Sequence, residues 1–245
     1  MLDWIGVAIT VVAVVGYFGM LAAHRFTYET WAFDVPVVFG TVVAIAGGMM
    51  EASWTPAVWA PVAAGAWFWV SRAELIIPSA PSEHPNVGDA VPAFEVATID
   101  GGRFTQDDLV DAAPAVLALF RGWWCPASKL QVEGLIEDLS RLDGQGLSVF
   151  ALSVDSPEDS AWLVEYVGST VTVLCGANED VLDAFGSRDD RGVRWYTQRL
   201  DGEPAHDIAR PSTFVVDGTG TITFVHRSTR VDERSGLAAI GRTAT

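Results

Sequence analysis

Residues 4–23 (WIGVAITVVAVVGYFGMLAA) carry no charge over a length sufficient to cross a bilayer. A run of this kind has to be shielded from water by lipid or by other helices, and that limits what the first third of the chain can become. Asp3 precedes it where a signal peptide would have a basic start, so a retained helix is expected rather than a cleaved leader. Two further apolar runs follow, residues 35–50 and 52–70. Pro56 and Pro61 fall early in the third, which is therefore expected to start late or kink. Trp31, Trp54, Trp67 and Trp69 lie near run ends, where interfacial aromatics sit. Three spans are expected, or two if the middle pair forms a re-entrant hairpin.

The charges separate along the chain. Residues 1–72 hold Arg25 and Arg72, no Lys, and the acids Asp3, Glu29, Asp34 and Glu51; residues 73–245 hold 13 basic and 27 acidic residues. The expected organisation is a transmembrane helical region at 1–72, a Pro- and Ser-rich linker at 73–85, and one soluble domain at 86–245. Arg25 and Arg72 fall on one side of a three-span arrangement, and the positive-inside tendency puts that side, with the soluble domain, in the cytoplasm. The expected location is thus the cell membrane, multi-pass, with the lipid bilayer as a partner. The soluble part has one Lys, Lys129, and a formal charge of −14. Such a surface repels nucleic acid and anionic headgroups. It is similar to the acidic, Lys-poor surfaces of halophilic proteins, where salt screens self-repulsion.

Strand and helix signals alternate after the linker. Residues 115–120 (AVLALF) predict a strand buried on both faces, and the spacing of Leu130, Val132, Leu135, Ile136 and Leu139 predicts a helix over 127–142. Residues 147–154 predict a second strand. A helix is expected over 157–167, with Ser156 as cap and Pro157 at its first position. A short strand at 171–174 and a helix near 178–185 follow. Residues 213–217 and 221–226 flank Gly218-Thr219-Gly220 and predict a hairpin. The pattern is that of an α/β domain with a mixed sheet.

Chemistry concentrates in Leu119-Phe120-Arg121-Gly122-Trp123-Trp124-Cys125-Pro126-Ala127-Ser128-Lys129, between a strand and a helix. Cys125 is placed at a helix N-terminus, where unpaired N–H groups and the helix dipole favour the thiolate. Pro126 suits the first helical position. Ser128 is one turn on, so its hydroxyl can point at the same sulfur, and Arg121 and Lys129 add positive charge. Trp123 and Trp124 are candidates for a wall beside the thiol. The competing reading is a small buried hydrophobe at a strand end. The four His residues (24, 84, 206, 226) show no metal-ligand spacing, and no nucleotide fingerprint appears, so neither metal nor cofactor is expected.

This stretch resembles the thioredoxin superfamily, and more closely its peroxiredoxin-like, alkyl hydroperoxide reductase/thiol-specific antioxidant branch. Val87–Phe94 with Asp100-Gly101-Gly102 resembles that branch's opening β-hairpin, Val154-Asp155-Ser156 its second strand exit, and Arg210–Gly218 its late strand. The resemblance covers about residues 86–230. It implies a thioredoxin-like mixed sheet flanked by helices, preceded here by about three transmembrane helices. It also implies a thiol oxidoreductase with Cys125 as nucleophile, Ser128 stabilising it, and Arg210 orienting a peroxide or oxyanion. Pro211, as the fold's cis-proline, would shape a substrate groove together with Trp124 and Pro126.

Two departures qualify the implied activity. Ser128 stands where relatives often carry a second cysteine, so an external thiol or a thioredoxin-type reductant must finish the cycle. The peroxiredoxin Pro-x-x-x-Thr-x-x-Cys motif is also absent. One alignment puts Arg121, Cys125 and Ser128 on its three positions, and the other puts Ala118, Gly122 and Cys125 there. A disulfide or mixed-disulfide substrate is therefore slightly preferred to a peroxide. Cys175 follows strand 171–174 on the same rim, but strand 147–154 is expected to lie between, roughly 10 Å of separation. A packed free thiol is favoured over a resolving one. The alternative for the whole domain is a non-catalytic redox-sensing or partner-binding module.

Overall fold

The computed structural model describes residues 1–22, 31–73, 77, 84–141, 146–192 and 207–230. The chain divides into two compact units, residues 1–76 and 77–245.

The first unit holds three helices, α1 (Leu2–Ala22), α2 (Trp31–Glu51) and α3 (Trp54–Ala73). Small residues let α1 and α2 pack backbone to backbone: a Cβ on Gly40 would lie 2.6 Å from both Gly6 O and Thr10 Oγ1. Around a small buried cluster of Tyr17, Val37 and Trp67, the exterior is unusually apolar for a soluble bundle. Trp4, Val12, Val15, Phe39, Val62 and Trp69 are exposed, while Asp3, Thr10 and Ser71 are buried. Asp34 accepts hydrogen bonds from Trp67 Nε1 and Arg72 Nη2, both at 2.9 Å. Among the described residues, only α1 and α2 are both long and apolar enough to cross a membrane. This narrows the expected three: α3 has the length, but its two prolines, four Trp, Ser71 and Arg72 dilute its apolar character. Residues 23–30, which carry Arg25 of the orientation reading, lie outside the described residues.

The second unit is built on a seven-stranded mixed sheet. Its strands are β1 (Glu95–Thr98), β2 (Arg103–Thr105), β3 (Ala115–Leu119), β4 (Ser148–Leu152), β5 (Thr172–Cys175), β8 (Ser212–Val216) and β9 (Ile222–Arg227), in the order β2-β1-β5-β4-β3-β8-β9. β3, β4 and β5 run parallel, and β8 runs antiparallel to β3. A small separate pair joins β6 (Arg188–Asp189) to β7 (Ile208–Ala209). Helices α4 (Gln106–Asp111), α5 (Pro126–Arg141), α6 (Ala161–Val167) and α7 (Glu179–Ala184) complete the domain.

β3 is buried along its whole length because alternate residues serve two cores. Leu117 and Leu119 pack with Phe150, Leu152, Leu174, Phe185 and Phe214 on one face. Val116, Ala118 and Phe120 pack with Val132 and Leu135 of α5, and with Leu163 and Val167 of α6, on the other. The hairpin between β8 and β9 closes through Asp217, whose Oδ1 accepts the N–H groups of Thr219 and Thr221.

Element boundaries in this unit depart from expectation in three places. The helix expected over 157–167 begins only at Ala161: the Ser156 hydroxyl accepts the Asp159 N–H and closes a turn before the helix proper. α4 escaped the periodicity search because it is short, and its signal is a capping pair, Thr105 with Asp108. Ile77, assigned to the linker, is buried and its N–H donates to Thr229 O at 2.8 Å.

Asn178 Oδ1 accepts the Val181 N–H at 3.0 Å and caps α7. Asn178→Ala should lower the unfolding free energy by about 1 kcal/mol, measured by denaturant titration of the full chain in detergent.

Candidate active site

The chain leaves β3 at Leu119 and soon enters α5. Phe120 N–H donates to Leu152 O at 2.8 Å, extending the β3–β4 ladder by one residue. The residues from Arg121 to Cys125 form a tight loop. Cys125 N–H donates to Gly122 O (3.2 Å), and Ser128 N–H donates to Cys125 O (2.9 Å), so Cys125 sits at the entry to α5. Its side chain is 3% exposed.

Asp155, just beyond β4, holds this loop. Its Oδ2 accepts the Trp123 N–H at 2.8 Å. Its Oδ1 would lie 2.6 Å from a Cβ on Gly122, and Trp124 Nε1 would lie 2.8 Å from the same point. Gly122 also has φ +141°, which L side chains rarely adopt. Asp155 O in turn accepts the Gly176 N–H at 2.8 Å, tying the loop to the end of β5.

A buried cation stands beside the thiol loop. Arg121 is 6% exposed, and its guanidinium lies 5.5 Å over the Trp124 ring. Its Nη2 is 3.6 Å from Asp189 Oδ2, and Arg191 Nη2 meets that same oxygen at 2.8 Å. Burial pushes the Asp189 carboxyl up. The Arg191 hydrogen bond and the charges of Arg121 and Arg191 outweigh burial and hold it below the usual carboxylate range. Among the described residues, Arg121 Nε, Trp124 Nε1 and Ser128 Oγ are buried without hydrogen-bond partners. Three unsatisfied donors on one short segment are costly unless something with an oxygen uses them.

The late strand brings the second half of the site. Leu119 pairs with Ser212 across β3 and β8, so Arg210 and Pro211 run alongside the segment that follows Leu119. Arg210 is buried: its N–H donates to Ser187 O and its Nε to Ser228 O, both at 2.7 Å. The Ser187 hydroxyl donates to Ser212 Oγ, and Ser212 Oγ donates to Arg210 O, both at 2.9 Å. The Arg210–Pro211 peptide is trans, which corrects the cis-proline implied by the thioredoxin resemblance; the cis peptides of the described residues precede Pro85 and Pro114.

Cys125, Ser128, Trp124 and Arg121 therefore share one loop and helix start, Pro126 opens α5, and Arg210 and Pro211 reach the same rim. Cys175 is not brought to them. It ends β5, with β4 between it and β3, and it is fully buried. Burial pushes its thiol up; the Ser160 hydroxyl pulls it back in part, and the Asp155 charge adds to the rise. Both cysteines are free thiols. Sequence reasoning missed the holding roles of Asp155 and Asp189. Asp155 had a signal, an acid at the exit of a buried parallel strand. Asp189 lies in a polar stretch that offered none.

Residues 87–225 match the AhpC/TSA family model, and the chain belongs to that family. The chain is 27% identical over 135 residues to "Putative peroxiredoxin Rv2521" of Mycobacterium tuberculosis, covering 55% of this chain and 80% of that one. Among solved structures, the thiol peroxidase from Chromobacterium violaceum aligns with a TM-score of 0.56 at 14% identity, over 69% of this chain and 90% of that one. Peroxiredoxin 5 from Alvinella pompejana aligns with a TM-score of 0.51 at 17% identity, over 64% of this chain and 96% of that one. The domain has the peroxiredoxin-like thioredoxin fold, and its enzyme class is that of a thiol peroxidase or thiol oxidoreductase.

Two substitutions test this site. Asp155→Ala should loosen the loop and speed alkylation of the buried Cys125, while Asp155→Asn, which still accepts the Trp123 N–H, should largely keep the slow wild-type rate. Asp189 contributes stability present above the unfolded-state carboxylate pKa and lost as pH falls through its depressed folded value. Asp189→Asn should flatten that acid limb in pH-dependent thermal unfolding.

Proposed function

We propose that this chain is a membrane-anchored thiol peroxidase in which Cys125 attacks a hydroperoxide and an external thiol regenerates it. The burial of Cys125 carries the reading. A thiol only 3% exposed admits a small oxidant, whereas a folded disulfide substrate would have to open the loop. That argues against the slight preference for disulfide chemistry that the sequence suggested. Family membership supports the same reading.

The thiolate of Cys125 attacks the distal peroxide oxygen. The O–O bond breaks, a sulfenic acid forms, and the alkoxide leaves as an alcohol after taking a proton. The donors of Ser128, Trp124 and Arg121 can hold oxygens through this step, and Arg210 adds a fixed cation at the same rim. Oxyanion donors of this kind contribute about 10²–10³ in rate each. One external thiol then attacks the sulfenic sulfur to give a mixed disulfide and water, and a second releases Cys125. Cys175 takes no part in this cycle.

The first unit acts as the membrane anchor, a reading supported by its apolar exterior and by α1 and α2. With α3 as a third span, less apolar than the other two, the domain faces the cytoplasm.

Cys125→Ser should abolish peroxide consumption and Cys175→Ser should leave it within about twofold, measured as thiol-dependent peroxide loss; the reverse pattern would make Cys175 the working sulfur. A C-terminal reporter that fluoresces only in the cytoplasm should light up. A dark reporter beside an active periplasmic one would reverse the orientation.

A further inference from the structure

Attack on a peroxide leaves an oxygen on the Cys125 sulfur, and the residues around it decide what happens next. A sulfenic acid is commonly capped inside its own protein in one of two ways. A nearby thiol attacks the sulfur and gives a disulfide, or a backbone N–H condenses with it and gives a sulfenamide, each with loss of water. The sulfenamide ring is closed by the amide nitrogen of the residue that follows the cysteine.

A different residue closes each of these exits. Ser128 stands one turn into α5, with its N–H on Cys125 O at 2.9 Å, at the position from which a second thiol would reach the sulfur. Its hydroxyl is buried and, among the described residues, has no hydrogen-bond partner. The chain has one other cysteine, Cys175. Leu119 pairs with Leu152 and Leu152 with Leu174, so two strand spacings, roughly 10 Å, separate the ends of β3 and β5. Asp155 bridges those ends: its carboxylate accepts the Trp123 N–H and its carbonyl the Gly176 N–H, both at 2.8 Å. Pro126 closes the remaining exit as the first residue of α5. Any other residue there would present an N–H with no intrahelical acceptor, on the very amide that joins it to Cys125. Proline has no N–H to give. A link between two copies of the chain would need two sulfurs to meet, each on a residue 3% exposed.

We infer that Pro126 is a protecting residue: together with Ser128 and the Asp155 bridge, it makes the sulfenic acid of Cys125 a lasting state of this chain, discharged only by the thiol of a second molecule. The inference rests on the peroxidase reading for how that state arises. It extends the reading to what the oxidised protein does, which is to carry an oxidising equivalent until a thiol from outside takes it. The Cys125 thiol and a hydroperoxide give the sulfenic acid and an alcohol, or water from hydrogen peroxide. The incoming thiol then forms an S–S bond to Cys125 as the S–O bond breaks, and the oxygen leaves as water. In the interval the buried Ser128 hydroxyl, one turn away, is a donor available to the sulfenic oxygen.

The test uses the full chain in detergent micelles, carrying Cys175→Ser so that loss of water cannot come from a bond to Cys175. Equimolar hydrogen peroxide is added without any thiol, and the intact mass is followed. The mass should rise by one oxygen atom and hold, and dimedone should label Cys125 throughout. Adding Pro126→Ala restores the N–H; the oxidised form should then shed one water, and dithiothreitol should return it to the free thiol. Adding Ser128→Cys instead should also shed one water, through a disulfide between positions 125 and 128. The chain with Cys175 intact should keep its oxygen as long as the Cys175→Ser chain does. A sulfenic acid that lasts as long with Pro126→Ala as without it, or one that passes to a disulfide with Cys175, would overturn the inference. Hypochlorous acid reaches the same sulfenic acid through a sulfenyl chloride that water hydrolyses. If hydrogen peroxide adds no oxygen while hypochlorous acid gives the expected pattern across the variants, the protection stands and the peroxidase reading falls. If neither oxidant yields a dimedone-reactive Cys125, both fall.

Discussion

β3 is hydrogen-bonded on both edges over its whole length, to β4 in parallel and to β8 antiparallel. Both of its faces are buried, so a one-residue slip would exchange Leu117 and Leu119 with Val116 and Ala118 between two differently shaped cores. The register is therefore fixed, and with it the point at which the chain leaves the sheet. The thiol loop, the start of α5 and the approach of Arg210 on β8 all inherit their positions from this strand. The antiparallel pairing with β8 matters most. It carries the chain before Ser212 back past the chain after Leu119, so residues far apart in sequence meet on one rim.

Polar groups then refine what the strand sets coarsely. Asp155 takes the Trp123 amide and leaves no room at Gly122 for a side chain. Asp189 neutralises Arg121 while Trp124 stacks on its guanidinium. A buried ion pair of this type adds little net stability, because desolvation offsets most of the attraction. Its effect is to fix a cation where a flexible surface arginine would wander. The same logic holds for Arg227, which directs its donors to the backbone carbonyls of Pro85 and Phe185 and so presents a stationary charge.

The N-terminal unit packs differently. Its closest backbone contacts are between small residues, Gly6, Gly40 and Ala44, and many large side chains are exposed, while Tyr17 and Trp67 form a buried aromatic pair. Backbone proximity and polar contacts such as those of Asp34 with Trp67 and Arg72 hold these helices together.

The sequence by itself determined the division into an apolar N-terminal region and an acidic α/β domain, the buried strands 115–120 and 147–154, the β8–β9 hairpin and Cys125 at the start of a helix. These depend on periodicity, turn chemistry and helix entry, all local properties. It could not fix the start of α6, because Ser156 and Asp159 can close a turn as well as cap a helix. It also could not separate α3 from the two more apolar helices by length alone. The strand between Cys175 and Cys125 was already expected from the order of the elements. Tertiary structure decided that Asp155 and Asp189 hold the thiol loop and that Arg210 is brought beside the segment after Leu119. Each of these depends on which strand lies beside which and in what register, and pairing between distant segments leaves no trace in the spacing of neighbouring residues.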